Sequence, residues 1–290
     1  MSYFHLNFIL KGKLTVCCLL MLSVMPLNAQ REAKQIGDFK ESISLNEHLR
    51  GTKRTLQYRP DGDEFVCVNG KNRYTRALYG SHSPFRVETS DRPVFAFYNN
   101  GRGGNISFKV ILRDGTELAL DRTGHCESRY SAGKRTYYLT DPSWGKGELR
   151  ISVLALADMD GAIWRFSPSN MPKGAILRWQ HGGATGKRLS RNGDMGVDPA
   201  DCFELPAEAT DLVTGELPLQ KEVYLVRGEV PEGYNVRKLY QQAEAASLAL
   251  ASHLKIETPD PYLNTLGGAL VAAADGIWDG QVWLHGAIGW

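Results

Sequence analysis

The 290-residue chain has five cysteines and no C-x-x-C pair, which leaves no clustered ligand set for a structural zinc ion. Two of the five, Cys17 and Cys18, lie in an apolar segment near the N-terminus. The other three, Cys67, Cys126 and Cys202, are widely spaced, and an odd number cannot complete a disulfide framework. Charge of one sign is also missing: 34 Lys and Arg stand against 32 Asp and Glu, for a formal net charge of +2, with the signs interspersed. That balance, without a basic block, argues against nucleic acid or an anionic membrane surface as the main partner. A neutral or small partner is expected.

Long hydrophobic runs are absent too. The most apolar stretch, "LTVCCLLMLSVM", follows Lys11 and Lys13 and is about a dozen residues long, where about 20 are needed to span a bilayer. It predicts the core of a secretory signal peptide over residues 1–29, cut after Ala29 in "PLNAQ", so that the mature chain starts at Gln30. A lipidated cysteine would close the apolar core, whereas Cys17 and Cys18 sit inside it. The mature protein is therefore predicted to be periplasmic or secreted, with no membrane attachment once the signal is removed.

Nucleotide-binding signatures fail on spacing. In "GGATGKRLS", counting back from Gly186 and Lys187 puts His181 where a phosphate loop needs glycine, and Arg188 stands where a hydroxyl should hold magnesium. "NGRGGN" leads into a strand pattern instead of a helix. Both read as turns. The loop "NGDMGVDPADCFE" brings Asp194, Asp198, Asp201 and Glu204 together, but not at EF-hand spacing. It reads as a solvated loop, and neither a metal nor a cofactor is predicted.

What is present is strand after strand. From Phe65 to Gly228, runs such as "EFVCVNG", "PVFAFYN", "NISFKVIL", "RTYYLT", "ELRISVLAL" and "EVYLVRG" recur between Gly, Asn, Asp and Pro turns, the pattern of an antiparallel sandwich or barrel. "ALADMDGAIWRF" predicts a hairpin with Asp160-Gly161 as a type I′ turn. "FYNNGRGGNISF" predicts another, with a longer glycine-rich connection. No helical periodicity interrupts the region, which excludes a βαβ fold. The domain expected over residues 30–233 is all β.

The pattern changes near Tyr234. In "NVRKLYQQAEAASLALASHLKI", Val236, Leu239, Tyr240, Ala243, Leu250 and Leu254 recur at helical spacing, which predicts an amphipathic helix within a 234–258 linker. A second helix is predicted over 261–277, with Asp260 as N-cap and Pro261 at its first position. Its small residues, from Gly267 to Ala274, suit close packing. Two helices cannot enclose a core alone, so a helical domain is expected to begin near residue 259 and to be cut off at Trp290. The last stretch, "DGQVWLHGAIGW", carries Trp283, His285 and Trp290, indole faces beside a hydrogen-bonding ring that suit a sugar. Aromatics packing a helix junction would produce the same composition.

An exported β-supersandwich, a linker helix, "TPDPYLNTL", an Ala-rich helix and "WLHGAIGW" together resemble the N-terminal part of the six-hairpin glycosidase superfamily. Within it, the chain is most similar to the bacterial domain of unknown function 4450, through "RYTRALYGSHSPFRVETSDRPVFAFY", "WQHGGATGKR" and "RNGDMGV". The resemblance implies a mainly β chain followed by the first helix of a truncated (α/α)6 toroid over 259–290, with Trp283, His285 and Trp290 near bound carbohydrate. It implies an inverting glycoside hydrolase whose acid and base, needed on either side of the glycosidic bond, lie beyond Trp290, so that this chain alone is inactive. A non-catalytic carbohydrate-binding or scaffold sandwich, and a polysaccharide lyase with a toroid, are the alternatives. Mass spectrometry of the exported protein is expected to find Gln30 at the N-terminus, within a few residues; a product retaining Met1 would sink the export reading.

Overall fold

The computed structural model describes residues 57–283 apart from 81, 84, 100–101, 183–211 and 231. The predicted signal segment, Cys202, the stretch from Asp194 to Glu204, His285 and Trp290 lie outside the described residues. Among the described residues fourteen strands run in chain order. They are β1 (Arg59–Asp61), β2 (Glu64–Val68), β3 (Arg76–Leu78), β4 (Arg86–Thr89), β5 (Phe95–Asn99), β6 (Arg102–Ile111) and β7 (Glu117–Ala119). After them come β8 (His125–Ser131), β9 (Lys134–Thr140), β10 (Glu148–Ala155), β11 (Gly161–Ser169), β12 (Ile176–Gly182), β13 (Val213–Pro218) and β14 (Val223–Gly228). Two helices follow, α1 (Val236–Ala251) and α2 (Pro261–Gly276).

All strand pairs are antiparallel, in two sheets. The first has the order β1-β2-β8-β9-β10-β11-β14, the second β13-β12-β6-β5-β4-β3 with β7 on β6. Alternation decides which side chains meet between them. Tyr137, Leu139, Ile151, Val153, Trp164 and Phe166 from the first sheet form one core with Phe95, Phe97, Ile106, Phe108, Val110 and Leu177 from the second. Trp164 is its centre, with edge-on contacts to Phe95 and Phe97 at 5.7 Å between ring centroids. The arrangement is a β-sandwich.

The outer face of the first sheet is apolar as well, because a helix lies on it. Leu154 and Ile163 point away from the sandwich core and meet Leu239, Tyr240 and Ala243 of α1. This explains why β10 reads as an almost unbroken buried run instead of an alternating one. Arg165 reaches the Tyr240 ring at 4.3 Å, and Asn235 caps the helix by accepting from the Lys238 N–H at 3.0 Å. The linker helix thus finds its cover within the chain. Val236 and Leu254, expected on its buried stripe, are exposed, since α1 starts at Val236 and ends before Leu254.

Two hairpins differ in their turns from the sequence expectation. β10 and β11 do pair, but Ala155 faces Ala162 and the Leu156 N–H donates to Gly161 O at 2.8 Å. Asp160-Gly161 is therefore not a two-residue turn, and Gly161, without the positive φ that a type I′ turn needs, already belongs to β11. In the β5–β6 hairpin Gly103 and Gly104 are strand residues facing Tyr98 and Phe97. Only residues 100–101 separate the strands, so the connection is shorter than the glycines suggested.

The sandwich also contains charge. Asp91 is 0% exposed and Arg135 1%, with Arg135 Nη2 3.5 Å from Asp91 Oδ1. Such a pair is held in a low dielectric by further hydrogen bonds, although Arg135 Nε has no partner among the described residues. Asp91 accepts from Tyr58 Oη at 2.5 Å, Gln57 Nε2 at 2.7 Å and the Asn72 N–H at 2.9 Å. Arg135 donates to Ser90 O at 3.2 Å and Ser128 Oγ at 3.0 Å. The loop between β2 and β3 is stapled to the same place: Thr75 N–H donates to Thr89 O at 2.7 Å, Asp91 N–H to Asn72 O at 2.9 Å and Tyr74 N–H to Ser90 Oγ at 2.8 Å. Gly70 is required here because an added Cβ would fall on the Asp91 carboxylate and the Cys67 sulfur.

Beside this network lie two free thiols, Cys67 and Cys126, both buried. Burial pushes both upward, Cys126 to about 12, so neither is a thiolate at neutral pH. Two outcomes follow. Arg135→Met is expected to lower unfolding free energy by about 3–5 kcal/mol, because Asp91 is left buried without its cation; a denaturant midpoint equal to wild type would contradict this. In the mature chain carrying Cys202→Ser, a disulfide-exchange reagent should label neither thiol in the native state and both after unfolding, whereas rapid native labelling would show that the thiols are accessible.

Candidate functional site

The second helix builds the site. Asp260 caps it by accepting from the Tyr262 N–H at 2.8 Å, and Pro261 occupies its first turn, as the sequence predicts. Helix α2 packs on α1 and on β1, and Thr265 Oγ1 donates to Gly62 O at 2.8 Å. Its small residues allow close approach: Gly267 leaves room for Leu254 O, and at Gly276 a side chain would overlap the Tyr79 ring. Leu263 and Leu270 remain exposed.

Because these small side chains fill little volume, a cavity of about 600 Å³ remains between the helices and the sandwich. Its helical wall is mainly Ala and Leu, while the sandwich supplies Arg76, Tyr79, His82 and Asp158. His82 Nε2 lies 3.2 Å from Asp275 Oδ1 at the C-terminal end of α2. The Arg76 guanidinium sits 5.4 Å from the centre of the Tyr130 ring. Burial, with Glu88 adding to it, pushes the Tyr79 phenol up to about 12, so it remains a neutral donor at physiological pH. The cavity offers hydrogen-bond donors and acceptors along an apolar wall, as a ligand with one apolar face and a polar rim requires.

Just past α2 the chain makes a tight hairpin. Trp278 N–H donates to Asp275 O at 3.1 Å, and Trp278 bridges to Trp283 in antiparallel fashion. The turn between them is held by Asp279, whose Oδ1 accepts from the N–H groups of Gln281 and Val282, each at 2.8 Å. These bonds hold the Asp279 carboxyl below its ordinary range. The two indoles stand 4.6 Å apart between centroids, tilted by 51°. Trp283 is 67% exposed, so it is braced by Trp278 and open to solvent over most of its surface. It is not packed into a helix junction.

Of the three predicted site residues, then, Trp283 is presented at the surface, seven residues beyond Gly276, the last residue of the helix whose Asp275 lines the cavity. His285 and Trp290 lie outside the described residues, so their place relative to it is not part of the described structure. The cavity groups Arg76, His82, Asp158 and Asp275 were not singled out from the sequence, because they come from separate elements and carry no shared spacing. Trp278, just before the terminal stretch, was readable with Trp283 and Trp290 as one of the indoles flanking His285. Among the described residues no three His, Cys, Asp or Glu side chains converge as metal ligands, and no helix is long and apolar enough to cross a membrane.

Residues 100–228 match a family model described as Domain of unknown function (DUF4450). The match covers the strands from β6 to β14 and ends before both helices. No curated protein matches the chain.

Proposed function

We propose that this chain is part of an exported carbohydrate-active protein, with the Trp278–Trp283 hairpin and the adjoining cavity as a glycan-binding surface. The observation that carries the reading is the exposed indole of Trp283, fixed in orientation by a second indole and by the Asp279 turn. A rigid aromatic plane with solvent on one side is what a sugar ring needs for stacking through its C–H face, and little side-chain entropy is lost when it binds. The polar groups of the cavity supply partners for ring hydroxyls. The resemblance of "TPDPYLNTL" and "LHGAIGW" to six-hairpin glycosidases supports assigning the whole protein to inverting glycoside hydrolysis, with its acid and base outside the described residues.

A non-catalytic carbohydrate-binding role has its own support. The cavity carboxyl of Asp275 is engaged by His82, and holding a sugar needs no opposed pair of carboxyls. Affinity electrophoresis of the mature protein through gels containing neutral polysaccharides, with product analysis in parallel, separates the readings. Trp283→Ala is expected to weaken retention roughly tenfold, the equivalent of about 1.4 kcal/mol, with unchanged circular dichroism. Reducing-end release without added enzyme would favour hydrolysis and unsaturated products a lyase, while binding alone would favour the non-catalytic role. Absence of retention on every glycan, or retention indifferent to Trp283→Ala, would overturn the proposal.

A further inference from the structure

The cations that are scattered through the sequence are gathered by the fold. Lys71 and Arg73 from the β2–β3 loop, Arg92 from the β4–β5 loop, Lys109 on β6 and Arg122 in the short 3-10 turn at 120–122 line one groove of about 770 Å³, against a single described lining acid, Asp121. Five positive groups around one hollow repel one another, and an anion placed among them relieves that repulsion. The near balance of charge over the whole chain conceals this local excess.

The groove is built for binding as well as charged. Arg92 is locked in place, with Nη1 donating to Asp121 O at 3.2 Å and Thr123 O at 2.8 Å and Nη2 to Asn69 Oδ1 at 3.2 Å. Among the described residues Lys109 and Arg122 have only loose, solvent-exposed ion pairs, at 3.4 Å to Glu117 and 3.5 Å to Asp121. Such pairs are worth little and exchange readily for a ligand's charge. The floor is polar: Asn105 and Ser107 lie on the outer side of β6, alternating with the inward Ile106 and Phe108, and Gln180 pairs with Ser107 from β12.

Amides and a hydroxyl below a cationic rim suit rings that carry both hydroxyls and acid groups. The one aromatic in the described lining, Phe108, is 2% exposed and belongs to the core, so the described residues offer no open stacking face for nucleobases, on which single-stranded nucleic acid binding depends. We propose that this groove binds an anionic polysaccharide, one whose sugars bear carboxylate or sulfate groups. The inference rests on the carbohydrate reading and narrows its substrate class. It involves none of the residues of the Trp278–Trp283 hairpin.

The test is affinity electrophoresis of the mature protein through polygalacturonate, chondroitin sulfate, neutral xylan and a single-stranded DNA of similar charge density, at low and high salt. Retention by polygalacturonate or by chondroitin sulfate, stronger than by DNA and at least about tenfold weaker on raising salt from roughly 0.05 to 0.5 M, is the expected result, and which of the two retains it names the acid group. K71E/R73E should reduce that retention at least about tenfold while leaving binding to neutral xylan unchanged, and K71Q/R73Q should give an intermediate loss with the fold intact. If only xylan is retained, and Trp283→Ala abolishes it, the carbohydrate reading stands and the anionic class is wrong. Retention of DNA equal to that of the acidic glycans would overturn the site as a glycan site, and retention of nothing would remove both proposals.

Discussion

A buried ion pair, Asp91 with Arg135, is the constraint around which the sandwich is arranged. Arg135 enters the core from β9 and Asp91 from the turn after β4, so the pair joins the two sheets. Burying both charges calls for hydrogen-bonding partners for their remaining donors and acceptors, and the described residues supply all those named below while leaving Arg135 Nε without one. The partners are drawn from Gln57 and Tyr58 before and in reach of β1, from Asn72 in the β2–β3 loop and from Ser128 on β8. Side chains that would otherwise belong to separate loops are therefore held in one geometry. The demand on space is equally strict, since Gly70 has no room for a side chain beside Asp91.

Apolar packing then works outward in layers. The core between the sheets accounts for the inward faces, and α1 accounts for the outward Leu154 and Ile163. Helix α2 is attached differently, through small residues and a few hydrogen bonds, with Leu263 and Leu270 left in solvent. Small side chains bring backbones together but fill little volume, and the cavity between α2 and the sandwich is the result. A site is thus formed where packing is least complete, which is where a ligand can be accommodated without displacing the core.

The elements most legible in the sequence were those whose inward side chains are apolar, such as β5, β6 and β10. Strand β8 was not, because its inward positions are Cys126, Ser128 and Tyr130, and a buried serine serving Arg135 looks like a turn residue in one dimension. Strand β13 is an exposed edge whose residues alternate without strong hydrophobicity. Both helices and the Asp260 cap were readable from periodicity and end signals, whereas the cover of α1 was not, because the outward apolar stripe of the first sheet is split between β10, β11 and β14. Of the site, Trp283 was visible through its residue type. The cavity and the basic groove were not, since Arg76, His82, Asp158 and Asp275, like the five cations, become neighbours only through strand pairing.

The loop from Lys71 to Arg76 borders both hollows: Lys71 and Arg73 face the groove, while Thr75 and Arg76 line the cavity. Its backbone is stapled to residues 89–91 between those two ends. On the proposed reading both hollows take glycan on either side of this fixed wall, and neither needs the other to move in order to bind. A ligand long enough to occupy both still gains by avidity: once one stretch is held, the next meets its hollow at a high effective concentration. Discrimination by chain length then comes from a rigid partition, with no conformational change needed to produce it.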